Sequence, residues 1–279
     1  MSENMIVVVG ATGKTGRRVS ARLRLLGERV RPVSRSSAIR FDWADPDGWD
    51  AVLTGATAAY VVAPPAPGPM GKFVERAQAL GLRRLVLLSA RAADAWEDSA
   101  FGQEVQDAER VVRQSSLDWT IVRPSNFAQN FDEDVFAEPL LGGELALPAG
   151  DEVLEPFIDI EDVAAVVAEV LTKPGHEGQT YELTGPRCLT FAEATALIAA
   201  ASDRPIAYRQ VAPEQYADML VDGGLSREVA EYVSGMFVLL GEHEIGRQTT
   251  DDVRRVLGRK PAPFEDYVVR TAAAGKWHA

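Results

Sequence analysis

A short apolar run followed at once by three regularly spaced glycines constrains this chain more than any other feature. Met5–Val9 is apolar and β-branched, and Gly10-Ala11-Thr12-Gly13-Lys14-Thr15-Gly16 follows it without a gap. We expect Gly10 to make a tight turn, Gly13 to let the backbone approach a ligand, and Gly16 to let a helix pack close to the strand. The alternative is a strand-to-helix turn with a structural role only.

The start of the following helix would supply unpaired N–H groups and a positive dipole, so the glycines predict a site for the pyrophosphate of a dinucleotide. Gly13-Lys14-Thr15 also resembles the end of a P-loop, whose first glycine would fall at position 8. That position is Val8, in the middle of the strand. The spacing therefore argues against a mononucleotide P-loop.

Short apolar runs alternate with amphipathic stretches through the first half of the chain. Strands are predicted at Met5–Val9, Val30–Val33, Thr57–Val62, Arg84–Leu88 and Trp119–Val122. Helices are predicted between them, at Lys14–Leu26, Pro46–Leu53, Met70–Leu80 and Gln103–Ser115. Nearly continuous apolar strands are typical of a parallel sheet with helices on both faces. The order predicts an α/β fold, a doubly wound parallel sheet of the Rossmann type.

The second half is predicted to be richer in helices. Beyond Pro124 we expect a strand at Glu155–Ile160, a helix at Asp162–Leu171 and a strand at Thr180–Leu183. Further helices are predicted at Phe191–Ala201, with Thr190 as the N-cap, and at Gln215–Val221, Arg227–Leu240 and Asp251–Leu257. We expect a dinucleotide-binding domain over 1–184, in which 124–150 contributes to the cleft. The smaller, mostly helical lobe over 185–279 would bind substrate, and its last helix is a candidate to return to the first domain.

The end of the second predicted strand bears on the choice of cofactor. NAD enzymes usually carry an acid there, roughly 20 residues after the glycines, for the ribose 2′-hydroxyl. This chain has Val33-Ser34-Arg35-Ser36-Ser37 instead, so Arg35 offers a forked cation and the serines offer hydroxyls. The segment predicts NADP(H) over NAD(H), with a solvated Arg35 as the alternative. In Phe41-Asp42-Trp43, beyond it, Asp42 is a candidate acceptor for the adenine amino group or an ordinary helix cap.

Several segments, in this order, resemble the NmrA-like atypical short-chain dehydrogenase/reductases. In the first half they are Gly10–Gly16, Ser34-Arg35, Val62-Ala63-Pro64, Leu87-Leu88-Ser89-Ala90, Trp119–Pro124, Asn126-Phe127 and Asn130-Phe131. In the second half they are Phe157–Ala164, Tyr181–Pro186 and Leu257–Pro261. The resemblance covers nearly the whole chain. Within the family it is similar to quinone reductases, to festuclavine dehydrogenases and to tailoring enzymes of aromatic polyketide (antibiotic) pathways.

The resemblance implies a set of cofactor-binding residues. It assigns the pyrophosphate to Gly10, Thr12, Gly13, Lys14, Thr15 and Gly16, and the 2′-phosphate to Arg35 with Ser34 and Ser36. It assigns the ribose of the nicotinamide to Ala63 and Pro64, and the nicotinamide to Ser89 and Pro124–Phe127, with Asp42 and Trp43 toward the adenine. It also implies a monooxygenase-type outcome in some relatives, in which a reduced aromatic product reacts with oxygen, with or without a partner oxygenase.

The chain departs from the wider superfamily in its acid catalyst. The usual tyrosine with a lysine four residues later is missing, since none of the six tyrosines has such a lysine. Hydride transfer to an acceptor that is already electron-poor, such as a quinone or an iminium, needs no strong protein acid. Ser89 and Asn126 are candidates to donate to the developing oxyanion. Alternatively, Ser89 bonds to backbone at the end of its strand, and the protein is a non-catalytic NAD(P)-sensing regulator.

Aromatic and apolar side chains in the second half predict a wall for a small aromatic or conjugated substrate. They are Phe127, Phe131, Phe136, Tyr232, Met236 and Phe237. The last three recur at helical spacing, so a plain core is the alternative for them. Asp159 and Asp162 form a candidate carboxylate pair, with helix capping as the alternative.

Charge and composition narrow the partners. Lys and Arg number 29 against 41 Asp and Glu, so the net charge is 29 − 41 = −12, which argues against nucleic acid and anionic membranes. With one cysteine, Cys188, and three scattered histidines, neither a disulfide framework nor a metal site is expected. The first four residues do not resemble a signal peptide, so a cytoplasmic protein is expected. The sequence leaves the oligomeric state open.

Overall fold

The structure is a computed structural model that describes residues 4–64, 68–91, 93–96, 99–242 and 247–278. The chain forms two compact units and passes between them several times. Unit 1 comprises Met1–Pro124, Ile160–Leu183 and Asp251–Lys260, and unit 2 comprises Ser125–Asp159, Thr184–Thr250 and Pro261–Ala279. No helix among the described residues is long and apolar enough to cross a membrane.

The strands and helices have the following bounds. The strands are β1 (Met5–Val9), β2 (Arg29–Ser34), β3 (Ile39–Arg40), β4 (Ala56–Val62), β5 (Arg84–Leu88), β6 (Asp118–Pro124), β7 (Glu144–Leu147), β8 (Leu154–Glu155), β9 (Gln179–Leu183), β10 (Leu189–Thr190) and β11 (Ala207–Gln210). The α-helices are α1 (Lys14–Leu25), α2 (Trp49–Leu53), α3 (Gly68–Ala79), α4 (Ala100–Arg113), α5 (Asn130–Glu133), α6 (Ala137–Leu141), α7 (Ile160–Thr172), α8 (Phe191–Ser202), α9 (Pro213–Asp222), α10 (Arg227–Glu242), α11 (Asp252–Leu257) and α12 (Phe264–Ala273).

Unit 1 is built on a parallel sheet of seven strands in the order β3-β2-β1-β4-β5-β6-β9. The order runs outward in opposite directions from β1 and β4, which creates a topological switch point at their carboxyl ends. On one face, apolar residues of the strands pack with α2, α3 and α4. On the other face lie α1 and α7, and α7 is buried along most of its length. The predicted Rossmann-type α/β fold is thus confirmed.

Unit 2 has its own apolar core, which gathers phenylalanines from several helices and loops. Around it, β7 pairs in parallel with β11, and β8 pairs antiparallel with β10. The predicted N-cap of α8 is confirmed. The Thr190 hydroxyl accepts a hydrogen bond from the Glu193 N–H at 3.0 Å, and the Glu193 carboxylate accepts one from the Thr190 N–H at 2.8 Å.

Two parts of the chain differ from the predictions. The predicted strand Glu155–Ile160 is wrong, because Pro156 lacks an N–H to donate and the chain leaves strand conformation after Glu155. Its apolar residues Phe157 and Ile158 are buried in unit 2 instead. The units also divide the chain differently from the domains expected at 1–184 and 185–279. Residues 125–159 belong to unit 2, and Asp251–Lys260 belongs to unit 1.

Candidate functional site

The glycine-rich turn between β1 and α1 brings backbone segments into close contact. Gly10 has a φ of +75°, a left-handed conformation that favours glycine. Its carbonyl accepts a hydrogen bond from the Gly13 N–H at 2.9 Å, which closes the turn just before α1 begins. A β-carbon on Gly16 would collide with the Gly10 carbonyl oxygen and lie 2.9 Å from the Ala11 α-carbon. Only glycine fits there without a backbone shift, so the first turn of α1 packs directly on the glycine turn.

The start of α1 has the chemistry of an anion site. No side chain caps it, and its first turn carries no acidic residue. The first N–H groups of a helix have no partner within the helix, and the helix dipole is positive at this end. The Ala11 N–H is bonded to the Val33 carbonyl at 3.1 Å, which ties the turn to β2. Backbone donors beside the exposed Thr12 and Gly13 therefore fit a pyrophosphate.

Tyr60 lies beneath this turn and was not singled out from the sequence. It belongs to β4, is fully buried, and its hydroxyl lies beside Thr15 in the first turn of α1. Burial raises the pKa of the Tyr60 phenol, and Thr15 only partly opposes that rise. The phenol stays neutral and fills the space under the helix start. The sequence around a tyrosine in an apolar strand does not show which group its hydroxyl will contact in the fold.

The predicted 2′-phosphate residues follow β2. The Ser34 hydroxyl lies 2.7 Å from that of Ser37 and accepts a hydrogen bond from the Ser36 N–H at 3.2 Å, which folds the segment into a tight loop. Arg35 is exposed on this loop. Arg40 is paired in register with Ser34 across β2 and β3, so a second guanidinium lies at the same edge. Arg40 was thus not predicted from the sequence and is found only in the structure.

Asp42 is engaged locally, and Trp43 is part of an aromatic cluster. The Asp42 carboxylate accepts hydrogen bonds from the Ala44 N–H at 3.1 Å and from Arg40 at 3.2 Å. These bonds, the one from Ala44 first, lower the pKa of Asp42. The half-buried Trp43 ring packs edge-on against Phe41, with ring centroids 4.9 Å apart. Both residues follow the Arg35 loop and β3 in the chain. The adenine contact expected for Asp42 stays a prediction.

The remaining predicted cofactor residues of unit 1 lie at the carboxyl edge of the sheet. Ala63 and Pro64 follow β4, Ser89 follows β5, and Pro124 ends β6. Since β1, β4, β5 and β6 are parallel neighbours, these residues lie at the same edge as Gly10. The fold therefore brings together residues that are more than 110 positions apart in the sequence (124 − 10 = 114).

Ser89 is fixed at this edge by two hydrogen bonds. Its N–H donates to the Val122 carbonyl at 2.8 Å, and its Oγ donates to the carboxylate of Glu109 in α4. Glu109 is fully buried and also accepts hydrogen bonds from Arg123 at 2.7 and 2.6 Å. The Ser89 hydroxyl thus bonds to a charged side chain rather than to backbone, which was the structural alternative.

Arg123 of β6 is the buried centre of an ion network that joins it to α4, β9 and Asp94. It donates to Glu109 in α4, to Asp94 at 2.7 and 3.0 Å, and to Glu182 in β9 at 3.0 Å. Burial opposes the charge of Arg123, but the hydrogen bonds from Arg123 to Glu109 and Asp94 outweigh it and raise its pKa. The sequence held one signal that was not used. An arginine inside an apolar strand of a covered sheet requires buried acidic partners.

Asn126 and Phe127 belong to unit 2. The Asn126 carbonyl accepts a hydrogen bond from the Ile158 N–H at 2.9 Å, and Phe127 forms an isolated parallel bridge with Ile158. Both side chains are half-buried. Their predicted roles near the nicotinamide stay predictions.

Two of the six predicted substrate residues are core residues of unit 2. Phe131 is 0 % exposed, and its ring lies 5.1 Å from that of the equally enclosed Phe136. Other phenylalanines surround both rings, so they stabilise the unit and cannot form a substrate wall. Phe237 is buried at 7 % exposure but lines a cavity of about 590 Å³. Met236 is half-buried and Tyr232 is 38 % exposed. Their contact with a substrate stays a prediction.

Asp159 and Asp162 serve separate ion pairs. In unit 2, Asp159 accepts hydrogen bonds from Gln129 and Arg270, each at 2.6 Å. In unit 1, Asp162 pairs with Arg259 at 2.6 Å. These contacts give both carboxylates a structural role. Within the described ranges, no group of three or more His, Cys, Asp or Glu is arranged to hold a metal ion.

Comparisons with known proteins agree with the glycine turn and the sheet. The profile of a family described as NAD(P)H-binding matches residues 10–174. NAD(P)H azoreductase of Xenophilus azovorans is 29 % identical over 97 % of this chain and 99 % of its own length. Festuclavine synthase II of Penicillium roqueforti is 28 % identical over 94 % of this chain and 96 % of its own.

Solved structures share the fold over almost the whole chain. The NADPH complex of an NADPH-dependent quinone oxidoreductase from Escherichia coli superposes with a TM-score of 0.82 at 19 % identity, covering 95 % of this chain and 99 % of the other. The negative transcriptional regulator NmrA in complex with NAD has a TM-score of 0.74 at 18 % identity, covering 99 % and 97 %. At these identities the likeness establishes the fold.

Proposed function

Because the chain belongs to the NAD(P)H-binding family, we propose that it is an NADPH-dependent reductase that delivers hydride to a conjugated acceptor of the quinone or iminium type. The resemblance to NmrA-like short-chain dehydrogenase/reductases is confirmed, and NAD(P)H-dependent reductases are among its relatives. The observation that carries the proposal is the glycine turn, where a β-carbon on Gly16 would collide with Gly10 and α1 begins without a cap.

The residues present fit a dinucleotide. The start of α1 offers backbone N–H donors without a nearby acid in its first turn, as a pyrophosphate requires. We assign the 2′-phosphate to Arg35, with Arg40 at the same edge, which supports NADPH over NADH. Asp42, charged and bonded to Arg40, orients that guanidinium.

The chemistry at the carboxyl edge suits an acceptor that needs no strong acid. The bound cofactor supplies the hydride. The described helix α4 carries neither the tyrosine nor the lysine of the usual acid pair, so a reduced quinone takes its proton from water. The role of the protein is then to hold donor and acceptor in contact and in the right orientation. The similarity to an NAD(P)H azoreductase and to an NADPH-dependent quinone oxidoreductase supports a conjugated, electron-poor acceptor.

We further propose that the acceptor is an aromatic metabolite of a secondary pathway. The 28 % identity to festuclavine synthase II supports this placement. Reduction of a quinone gives an electron-rich aromatic hydroquinone, which is suited to hydroxylation by oxygen or by a partner oxygenase. Phe237 lines a cavity of unit 2, which supports its predicted contact with such a ring.

The test is NADPH oxidation by purified protein in the absence of oxygen. Benzoquinones, naphthoquinones, an azo dye and a cyclic iminium would each be added, and loss of NADPH absorbance would be followed together with the reduced product. We expect turnover with at least one acceptor and lower turnover in a Gly16→Ala variant, which should bind NADPH more weakly. If NADPH binds tightly but no acceptor oxidises it, the reductase proposal fails.

That failure would favour the second candidate, an NAD(P)-sensing regulator. Its supporting observations are the missing acid pair in α4 and the shared fold with NmrA. A regulator should bind oxidised and reduced cofactor without releasing hydride. It should also change its affinity for a partner protein with the redox state of the cofactor.

A further inference from the structure

The direction of the Ser89 hydroxyl is determined by its hydrogen bond. A serine hydroxyl carries one hydrogen and two acceptor lone pairs. The hydrogen of Ser89 is directed to Glu109, which is buried and whose carboxylate oxygens only accept. Ser89 can therefore present only its lone pairs to a ligand at the edge of the sheet.

Glu109 cannot easily exchange roles with Ser89. Its oxygens accept from Arg123 at 2.7 and 2.6 Å, and Oε2 forms an ion pair with Arg113 at 2.8 Å. Glu109 forms ion pairs with both guanidinium groups, and an ionised carboxylate has no hydrogen to donate to Ser89. The network therefore keeps Glu109 an acceptor and Ser89 a donor toward it.

The position of Ser89 allows contact with a bound cofactor. It follows β5, which is separated from β1 by β4 alone. With neighbouring strands about 4.8 Å apart, the end of β5 lies roughly 10 Å from the end of β1, where the glycine turn begins. That span is within the length of a dinucleotide whose pyrophosphate lies on the turn.

We propose that Ser89 is a hydrogen-bond acceptor in the ligand site, that Glu109 is its positioning residue, and that Ser89 takes an N–H or O–H group of the ligand. This inference rests on the proposed function, since it requires a dinucleotide on the glycine turn. Two groups carry the required chemistry: the carboxamide of the nicotinamide and the hydroxyl of a reduced, phenolic product. Ser89 is then not the oxyanion donor that the sequence suggested.

The first experiment compares ligands that differ in one donor. Wild-type protein and Ser89→Ala would be titrated with NADP⁺ and with its acetylpyridine analogue, in which a methyl ketone replaces the carboxamide and removes both N–H groups. The NADP⁺-bound proteins would then be titrated with a hydroquinone and with its dimethyl ether. We expect Ser89→Ala to weaken the donor-bearing member of one pair by about three- to tenfold, the scale of a single hydrogen bond, and to leave its partner unchanged.

If the NADP⁺ pair responds, the donor is the carboxamide of the nicotinamide. If the hydroquinone pair responds, the donor is the phenolic hydroxyl. Either response supports the proposal. Equal weakening of both members of a pair, or no weakening in either pair, overturns it. If wild-type protein binds neither NADP⁺ nor the analogue, the proposed function itself fails. Ser115→Ala is the matched control, because its hydroxyl donates to the Val112 carbonyl at 2.7 Å beyond the end of α4. It should change none of these affinities.

The second experiment tests Glu109. In Glu109→Gln, the amide nitrogen can donate to Ser89, which would turn the serine hydrogen toward the ligand. The selectivity between the two members of the responding pair should then fall or reverse, and in the Ser89→Ala/Glu109→Gln double variant it should equal that of Ser89→Ala. A structural role alone would weaken both ligands equally and leave the selectivity unchanged, which would remove Glu109 from the proposal. If Glu109→Gln does not fold, the comparison of wild-type protein with Ser89→Ala remains decisive. Glu109 is unchanged in both of these proteins and still pairs with Arg123 and Arg113.

Discussion

At the scale of single residues, the proposed preference for NADPH rests on charges at one corner of the sheet. Arg35 is exposed on the loop after β2, and Arg40 lies beside that loop on β3. Asp42 pairs with Arg40 and feels the charge of Arg35 as well. These three side chains together carry a net charge of +1, which supports the proposed preference for a 2′-phosphate over a 2′-hydroxyl.

The first prediction concerns Arg35. Arg35→Ala should weaken NADPH binding by ~1.5–3 kcal/mol, the scale for a hydrogen bond to a charged group, and leave NADH binding nearly unchanged. Isothermal titration of both cofactors measures the difference directly. Arg24→Ala is the control, since Arg24 is also exposed but lies in the last turn of α1. Equal losses for NADPH and NADH in Arg35→Ala would end the assignment of Arg35 to the 2′-phosphate.

The sequence identified residues whose role follows from local spacing and missed those defined by tertiary contacts. Gly16 could be assigned because its place in the glycine pattern specifies its function. Glu109 of α4 could not, because its partners Ser89, which follows β5, and Arg123 of β6 meet it only in the folded unit. Phe131 was misassigned for the same reason. An aromatic side chain has the same sequence pattern in a core and in a cleft.

At the scale of elements, the unit formed by β1, the glycine turn and α1 is the most constrained part of the site. The turn is tied to β2 through the Ala11 N–H and closed by the Gly13 N–H. The helix start then packs on the Gly10 carbonyl with no room for a side chain at Gly16. Cofactor binding should depend on this close approach more than on any single hydrogen bond.

Gly16→Ala tests that dependence. The added β-carbon must move α1 away from the turn, so we expect NADPH affinity to fall and stability to drop by about 1–3 kcal/mol, as in other overpacked sites. Urea unfolding and cofactor titration measure the two effects. Gly71→Ala in α3 is the matched control, because its β-carbon would meet nothing within 4 Å. It should be neutral or stabilise by up to about 1 kcal/mol, and similar behaviour of the two variants would contradict the packing argument.

Elements with continuous apolar runs were predictable, whereas short polar ones were not. β1 and β5 have the predicted bounds, since both are buried in the parallel sheet. β11 was missed because its four residues are mostly exposed and it forms a strand only by pairing with β7. The opposite error was made at Glu155–Ile160. A strand was predicted there from apolar residues that are buried but do not form it.

At the scale of the whole molecule, the chain contributes to each compact unit from three separate segments. The short segment containing α11 is needed to complete unit 1. Asp252 accepts a hydrogen bond from the Glu182 N–H of β9 at 2.8 Å, and Arg259 pairs at 2.6 Å with Asp162, whose side chain is 3 % exposed. From the sequence, α11 was the last helix predicted within 185–279 and a candidate to return to the first domain, since a six-residue helix carries no signal of where it docks.

Completion of unit 1 by α11 leads to a prediction about where the chain can be divided. A fragment covering 1–184 lacks α11, so it leaves the buried Asp162 without Arg259 and contains only part of unit 2. We expect this fragment to unfold without cooperativity and to bind no NADPH, by circular dichroism and titration. In the full chain, Arg259→Ala should cost ~1–3 kcal/mol, because it removes a charged partner of a buried carboxylate. Arg227→Ala, which breaks the exposed pair with Asp218, should cost less than about 1 kcal/mol. A fragment 1–184 that unfolds cooperatively and binds NADPH would instead show that the boundary expected from the sequence is a real one, and that α11 adds stability to a domain already complete without it.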